Sequence, residues 1–331
     1  MKAAFALGTD IQFQMFTSTQ LDELSRLVSI DTSRAITDFS TVADTELAEL
    51  ELLITGWGAP RVDASVLERM PRLTAAIHTA GTVKGHLDTE VWNRGIRVTT
   101  AAEANSVPVA EFALAMILLA GKNTLGVAAD YATRSERVNL TKVYPGIGNY
   151  RSTVGIIGAS RIGRRVLELL RPFDLEVLVS DPFLSPDDAV ALGATPVDLP
   201  TLLRSSRVIS LHAPYTPSTH GMITATDLAL IPDGSTILNT ARPRIIDDAA
   251  LEAELVSGRL SAILDVTDPE PLPLDSVLRD LPNVFLTPHL AGAQGNELTR
   301  LGESALDEVR RLVAGEPAAY PVTLEQLATM A

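Results

Sequence analysis

The sequence predicts an α/β protein made of two doubly wound parallel-sheet domains. Short apolar runs alternate with helical patterns from residue 2 to about residue 104, and the alternation starts again at Thr153. Such alternation is typical of parallel sheets covered by helices on both faces. A length of 331 residues also fits two domains better than one. A glycine turn at the start of the second alternation marks that half as a candidate nucleotide-binding domain.

In the first alternation, apolar runs predict strands at 3–7, 50–55, 74–78 and 97–100, and helical patterns lie at 19–28, 64–70 and 87–94. Two loops at strand ends are conspicuous, 56–60 around Trp57 and 79–82 around Gly81. Open α/β sheets bind ligands at the carboxyl ends of their strands. Trp57 is therefore either a packing aromatic between two turn glycines or a wall of a substrate pocket, and Gly81 is either a turn residue or part of that pocket.

The middle of the chain predicts a long apolar helix at 108–121, followed by a segment at 122–151 without a clean period. A segment of that length outside either core is often an arm or a subunit contact. The longest apolar run, 112–120, is too short to span a bilayer, and the amino terminus lacks the pattern of a signal peptide. These features predict a soluble, cytoplasmic protein.

The second alternation opens with a strand, a glycine turn, a helix, a strand and an acid. An apolar run at 154–157 ends at Gly158, a helical pattern opens at Arg161 with Gly163 in its first turn, and a second apolar run at 177–179 is followed by Asp181. This layout is typical of a dinucleotide-binding βαβ unit, in which the helix amino terminus faces the pyrophosphate and the acid accepts hydrogen bonds from the ribose. Ser160 stands where the fingerprint has its middle glycine, so an ordinary βα turn remains the alternative.

The later strands are predicted at 207–213, 235–241, 261–266 and 283–286, with helices at 199–205, 225–230, 247–257 and 296–313. Polar residues end nearly every strand of this half. They are His212, Asn239 to Arg242, Asp265, and Thr287 to His289. Because carboxyl ends of parallel strands share one edge of a sheet, these residues are expected to line one crevice.

Arg242, Glu270 and His289 together make a usable active site. An arginine holds a carboxylate bidentately, a histidine can pass a proton near neutral pH, and a carboxylate beside the histidine favours its protonated form. With a nicotinamide, this set suits reduction of a 2-keto acid. Each residue also has a structural interpretation: a hydrogen-bonded histidine, a solvated glutamate in a proline-rich loop, and an interdomain arginine.

Composition limits the partners. The net charge of −14 disfavours nucleic acid and anionic membrane surfaces as partners, and the lack of cysteine excludes disulfides, thiolate catalysis and cysteine–metal sites. No metal is expected. An anionic substrate would need specific cations, and the candidates in the first domain are Lys84, Arg61, Arg72 and Arg97.

The chain resembles the D-isomer-specific 2-hydroxyacid dehydrogenases over nearly its whole length. The matching stretches are VGIIGASRIGRRV, VSDPF, SLHAPYTPSTHGMI, ILNTARPRIID, AILDVTDPEPLP and NVFLTPHLAG. The resemblance implies that Arg242 binds substrate, that Glu270 supports the histidine and that His289 is the acid/base. For cofactor binding it implies a set at the strand ends: Gly158, Ser160, Arg161, Ile162, Gly163, Asp181, His212, Pro214, Thr240, Ala241, Asp265 and Gly292. For substrate binding it implies Ala80, Gly81 and Thr82, to which Trp57 is added.

The family's architecture implies a flavodoxin-like substrate domain, 1–104 with 293–331, and a Rossmann-type NAD-binding domain, 105–292, on either side of a cleft. It also implies a homodimer formed through an arm at 122–151. Asp181 favours NADH over NADPH because its charge repels a 2′-phosphate. Ser160, Pro243 and Thr267 depart from the usual pattern. Two alternatives remain: an NAD-sensing binding or scaffold protein on the same fold, and an enzyme that oxidises another small acid with the same hydride acceptor.

Overall fold

The computed structural model describes residues 1–329, in which strands and helices alternate along the chain. The strands are β1 (Ala3–Ala6), β2 (Leu52–Thr55), β3 (Ala75–His78), β4 (Arg97–Thr100), β5 (Ser152–Ile157), β6 (Leu175–Ser180), β7 (Thr195–Pro196), β8 (Val208–Leu211), β9 (Thr236–Asn239), β10 (Ser261–Leu264) and β11 (Val284–Leu286). The α-helices are α1 (Ile11–Met15), α2 (Ser18–Leu27), α3 (Asp44–Leu47), α4 (Ala64–Glu68), α5 (Glu90–Asn93), α6 (Ala102–Gly121), α7 (Thr124–Thr133), α8 (Leu140–Val143), α9 (Arg161–Leu170), α10 (Pro186–Ala191), α11 (Leu199–Ser205), α12 (Ala225–Leu228), α13 (Asp248–Val256), α14 (Leu298–Val313) and α15 (Leu324–Thr329).

The chain divides into two compact units. Unit 1 consists of Met1–Asn105 and the residues from Ala293 onward, and unit 2 is Ser106–Gly292. Each unit contains one parallel sheet with helices packed against it, so the predicted fold class is confirmed.

The sheet of unit 1 has the strand order β1-β2-β3-β4, all parallel. On the outer side of β1, parallel bridges join Lys2 to Ser29 and Phe5 to Ala35, so residues 29–36 act as a further edge segment. With that segment counted, the order is the flavodoxin-like one. Separate apolar clusters cover the two faces of the sheet, and α14 contributes Leu301 and Leu306 to one of them.

The sheet of unit 2 has the order β11-β10-β9-β8-β5-β6-β7, and every pairing is parallel. The chain runs outward from β5 through β6 to β7, and then starts again at β8 on the other side of β5. The strand order therefore reverses between β5 and β8. Open α/β sheets bind their ligands at the carboxyl ends beside such a switch point. In this unit, Gly158 and His212 follow those two strands.

Every predicted strand is present, but several helix boundaries were wrong. The long helix α6 begins at Ala102, not at residue 108, and Pro108 lies inside it. Because proline is common in the first turn of helices, the sequence predicted a helix start at Pro108. The segment 122–151 is not aperiodic, because it contains α7 and α8. Helix α5 begins at Glu90, later than the predicted start at residue 87.

Helix α6 is the one helix within residues 1–329 that is long and apolar enough to cross a membrane on length and composition alone. The core helix of a soluble protein passes the same test. Ala110, Ala113 and Ile117 of α6 pack into the core beside β5 and α9. The apolar run 112–120 lies inside α6, and the whole helix Ala102–Gly121 is longer than that run.

Candidate functional site

The candidate site of unit 2 is built from the loops that follow its parallel strands. These loops lie along one edge of the sheet because the strands all run in the same direction. The predicted site residues from Gly158 to Gly292 stand on or beside these loops.

The glycine turn brings the loops after β5 and β8 into contact. Gly158 has a φ of +92°, and a Cβ there would lie 2.5 Å from the backbone nitrogen of Ala213. A Cβ on Gly163 would overlap the carbonyl of Gly158. Both positions therefore need glycine, the first for its backbone conformation and the second for close approach of α9 to the turn.

Ser160, the off-pattern residue, is the N-cap of α9. Its Oγ accepts from the backbone nitrogen of Gly163 at 3.5 Å. Serine is among the residues preferred at this position, which explains why the helix tolerates it there. A hydroxyl that accepts from the backbone still has its own proton to donate. Sequence reasoning missed this capping role, although a serine directly before a helical pattern is its usual signal.

Asp181 is brought to the glycine turn as predicted. One carboxylate oxygen accepts from the backbone nitrogen of Ala159 at 2.6 Å, and the other accepts from that of Phe183 at 2.7 Å. Each oxygen retains a further lone pair for a hydroxyl. The acid is thus held at the end of β6 by two backbone amides.

The remaining residues of this half differ in exposure. Arg161 is exposed at the start of α9, whereas the side chain of Ile162 packs partly into the core. His212 is buried with Nε2 2.8 Å from the Ser210 hydroxyl, and burial lowers the pKa of His212 to about 3. The neutral imidazole is therefore a structural element beneath the turn, and Pro214 follows it.

A buried amide shapes the loop after β9. Asn239 accepts from the backbone nitrogen of Ala241 at 3.0 Å and donates to the carbonyl of Arg242 at 2.9 Å. Sequence reasoning noted Asn239 only as a strand-end residue. Its neighbour Thr240 is buried, and the Thr240 hydroxyl has no hydrogen-bond partner. An unpaired buried hydroxyl is costly unless a ligand or water meets it.

Arg242 lies in extended backbone with φ −146° and ψ 142°. Pro243 follows it, and a residue before proline is restricted to that region. The guanidinium donates to the carbonyl of Ala241 at 2.7 Å. Burial lowers the pKa of Arg242, and the nearby charge of Glu270 opposes that shift. Glu270 is thus an electrostatic neighbour of Arg242.

Asp265 anchors the loop that carries His289. Its carboxylate is 1% exposed and accepts from the Thr287 hydroxyl at 2.5 Å, the Leu290 nitrogen at 2.6 Å and the Ala291 nitrogen at 3.0 Å. The backbone nitrogen of His289 donates to the carbonyl of Asp265 at 2.9 Å. Four hydrogen bonds therefore tie the end of β10 to residues 287–291. The sequence predicted a cofactor contact at Asp265 but not this anchoring role.

His289 and Glu270 form the closest functional pair. The His289 Nδ1 lies 3.1 Å from one oxygen of Glu270 and 3.3 Å from the other. Nδ1 carries the proton in this contact, because a carboxylate only accepts. The two side chains are 49% and 45% exposed. His289 has a φ of +55°, an uncommon conformation for a residue with a Cβ.

The predicted substrate residues lie in unit 1, at the carboxyl edge of its own sheet. The carbonyl of Trp57 accepts a hydrogen bond from the backbone nitrogen of Gly8 at 2.7 Å. Trp57 as a whole is 41% exposed. A Cβ on Gly56 would lie 2.5 Å from the Thr79 hydroxyl, so the loops after β2 and β3 touch. Ala80 is buried, whereas Gly81 and Thr82 are half-buried.

His78 supports that second loop. Its Nδ1 lies 2.9 Å from the Thr55 hydroxyl, its ring interacts with the backbone of Thr82, and burial holds the pKa of His78 well below its usual range. His78 is therefore a buried structural residue of this loop. Within residues 1–329, no group of three or more histidine, aspartate and glutamate side chains is arranged to hold a metal ion.

Comparison with known proteins identifies relatives of the whole arrangement. Residues 114–291 match the model of the D-isomer specific 2-hydroxyacid dehydrogenase NAD binding domain. The D-3-phosphoglycerate dehydrogenase of Mycobacterium tuberculosis is 35% identical over 260 residues, which are 78% of this chain and 48% of that protein. The chain thus spans about half the length of the phosphoglycerate dehydrogenases that it matches.

Two solved structures share the fold. The D-lactate dehydrogenase of Aquifex aeolicus, complexed with NAD and lactic acid, is 28% identical with a TM-score of 0.70 and 96% of each chain covered. An acyclic imino acid reductase, complexed with NADPH and D-Arg, is 21% identical with a TM-score of 0.75, covering 98% of this chain and 100% of the other. At that lower identity the likeness shows the fold alone.

The anchoring role of Asp265 predicts a loss of both stability and order when its charge is removed. Asp265→Asn supplies one acceptor oxygen in place of two, so at least one buried donor loses its partner. The free energy of unfolding is expected to fall by about 1–3 kcal/mol, measured by urea denaturation, with faster amide exchange at 287–291. Asp275→Asn, at an exposed position of the same unit, is the control. Unchanged stability and exchange in Asp265→Asn would contradict the anchor.

Proposed function

The chain belongs to the D-isomer specific 2-hydroxyacid dehydrogenase family, and from that premise we propose that it is an NAD-dependent enzyme that reduces a small 2-keto acid to the D-2-hydroxy acid. One observation carries the proposal. Glu270 lies 3.1 Å from the imidazole of His289 and also acts on the charge of Arg242. One carboxylate thus links a group that can donate a proton to a group that can bind a carboxylate.

The residues of unit 2 fit a dinucleotide. Gly158 and Gly163 let the turn pack closely against the loop after β8 and against α9, the amino terminus of α9 offers backbone donors, and Asp181 keeps lone pairs for the ribose. The unpaired hydroxyl of Thr240 offers a donor to the carboxamide of the nicotinamide. We assign Arg161, Ile162, His212, Pro214, Ala241, Asp265 and Gly292 to the walls of the same site.

The chemistry divides among three side chains. Arg242 binds the substrate carboxylate and polarises the keto oxygen. His289 donates its Nε2 proton to that oxygen, while Glu270 holds the Nδ1 proton and stabilises the imidazolium. When bound, the nicotinamide supplies the hydride. In the reverse direction, His289 accepts the hydroxyl proton.

The substrate side is assigned to Trp57 and to the backbone of Ala80, Gly81 and Thr82. The four candidate cations of unit 1, Lys84 included, already interact with other groups of the protein, and we therefore favour a substrate without a phosphate group. Arg61 is paired with Asp88, Arg72 is paired with Glu51, and Arg97 donates to the carbonyl of Glu316. A phosphorylated substrate would have to compete with these partners.

We also propose that the protein is a cytoplasmic homodimer that forms through α6 and the arm at 122–151. Helix α6 is apolar around its circumference, yet only 39% of its most apolar stretch is buried. Helices α7 and α8 bury no residue, and Tyr131, Leu140 and Tyr150 are exposed. A helix that is apolar on all sides is normally covered. A second copy of this chain would cover the apolar surface.

The catalytic assignment is tested by NADH oxidation at 340 nm against glyoxylate, pyruvate, hydroxypyruvate, phosphohydroxypyruvate and bulkier 2-keto acids. The wild-type protein should oxidise NADH with at least one of the unphosphorylated acids. His289→Gln should lower kcat by about 10²–10⁴-fold, because the proton donor is lost, while NADH still binds. Near-normal turnover in His289→Gln would remove this residue from the mechanism. Inertness of the wild type toward every 2-keto acid, with intact NADH binding, would favour the NAD-sensing alternative.

Cofactor choice is expected to depend on Asp181. The wild type should show a higher kcat/KM with NADH than with NADPH, because the carboxylate repels a 2′-phosphate. Asp181→Ala should shift the ratio of the two kcat/KM values toward NADPH by about tenfold or more, since a repulsion of 1.4 kcal/mol corresponds to a factor of ten. Steady-state kinetics with both cofactors measure this ratio. A wild-type preference for NADPH would overturn the assignment.

The dimer is tested by sedimentation velocity. The wild type should sediment as a dimer, and the double substitution Tyr131→Glu with Leu140→Glu should yield monomers, because charges replace apolar contacts. Val190→Glu, at another exposed apolar residue, is the control and should leave the dimer intact. A monomeric wild type, or a dimer that survives both substitutions, would contradict the proposed interface.

A further inference from the structure

Arg244 connects three of the strand-end loops in unit 2. Its guanidinium pairs with Asp268 in the loop after β10, and it also interacts with the Tyr215 hydroxyl in the loop after β8. Its own backbone carbonyl accepts from the nitrogen of Gly221 at 2.8 Å. The pairing with Asp268 raises the pKa of Arg244, as expected for a charge held by an opposite one.

The two partners stand beside the proposed active-site residues. Arg244 follows Arg242 by two positions, on the short 3₁₀ turn Pro243–Ile245. Asp268 precedes Glu270 by two positions. A single ion pair therefore bridges the loop that carries the carboxylate-binding arginine and the loop that carries the partner of His289. Thr267 stiffens the second loop, because its hydroxyl donates to the carbonyl of Pro269 at 2.9 Å.

We propose that Arg244 and Asp268 are positioning residues, whose ion pair fixes the distance between Arg242 and Glu270 and so sets the active-site geometry. The proposal rests on the proposed function for its catalytic consequence. Neither residue touches the reacting atoms in this account. They act through the backbone of the two loops, and Tyr215 extends the same constraint to the loop after β8.

The solvent exposure of Arg244 and Asp268 favours a role in positioning the active-site loops over a role in stabilising the fold. The side chains of Arg244 and Asp268 are 56% and 32% exposed. Ion pairs at such exposure add little to the free energy of unfolding. In contrast, a displacement of about 1 Å in a catalytic group can cost on the order of 100-fold in rate. Loss of the pair should therefore change catalysis far more than stability.

The experiment compares Arg244→Gln, Asp268→Asn, the double variant and the conservative Arg244→Lys. Arg34→Gln breaks an ion pair of similar exposure with Glu46 in unit 1 and is the matched control. Each single variant should lose about 10- to 100-fold in kcat/KM, through a higher KM for the keto acid and a lower kcat. The double variant should lose about as much as one single variant, because both remove one interaction. Arg244→Lys should recover part of the loss, and the Tm should change little throughout.

The pH profile separates positioning from simple electrostatics. Reduction requires a protonated His289, so the rate falls on the alkaline side. If Arg244 and Asp268 acted only as charges, the two variants would shift the alkaline limb of the pH profile in opposite directions. Arg244→Gln would move that limb to higher pH, and Asp268→Asn would move it to lower pH. If they position Glu270, both variants should move it to lower pH, because a displaced carboxylate stabilises the imidazolium less. The other charged groups around the pair, Asp247, Asp248 and His220, are the same in both variants.

Amide hydrogen exchange tests the coupling independently of activity. In each single variant, exchange should rise in both loops, 242–247 and 266–272, while Arg34→Gln leaves them unchanged. A rise only in the substituted residue's own loop, or in neither, would overturn the proposal. If the wild type reduces no 2-keto acid, the proposed function fails, and the exchange result alone decides whether the ion pair couples the loops.

Discussion

The candidate active site depends most on the hydrogen bonds that the buried carboxylate of Asp265 accepts. It gathers a hydroxyl and two backbone amides from residues 287–291, and its own carbonyl accepts from His289. These bonds hold His289 in a left-handed backbone conformation, with Nδ1 toward Glu270. A buried charge with three donors is stable, whereas the same charge without them would be costly. The position of His289 thus follows from the hydrogen bonds that the buried carboxylate of Asp265 accepts.

Other polar side chains along the carboxyl edge of the sheet also hold loops through hydrogen bonds to the backbone. Asp181 is held by two backbone amides beside the glycine turn, and Asn239 folds the loop that presents Arg242. In each case a short polar side chain at a strand end bonds to loop backbone: Asp181 reaches the neighbouring glycine turn, whereas Asn239 bonds within its own loop. These contacts tie the loops that carry the candidate site residues to the ends of the strands. The ion pair of Arg244 with Asp268 adds a link between two loops farther from the sheet.

Much of this arrangement could be predicted from the sequence, because strands, glycine turns and strand-end residues leave local patterns. Parallel topology then brings those ends to one edge without further information. The partners of particular side chains leave no such pattern. Asp265 was predicted to face the cofactor, and its bonds to 287–291 depend on which loop the fold places over it. The start of α6 and the helix α7 were missed because proline suggests a helix start and α7 buries no residue. Ser160 was predicted to be a cofactor-binding residue from its place in the fingerprint, whereas its bond to Gly163 makes it the N-cap of α9.

We propose that Arg242, Glu270 and His289 act together on a 2-keto acid. A crystal structure of the wild-type protein with NAD⁺ and oxamate, an unreactive analogue of a 2-keto acid, would show this directly. We expect the Arg242 guanidinium on the analogue's carboxylate, His289 Nε2 within hydrogen-bond distance of its carbonyl oxygen, and Glu270 on Nδ1. A ternary complex in which the analogue contacts neither Arg242 nor His289 would contradict it.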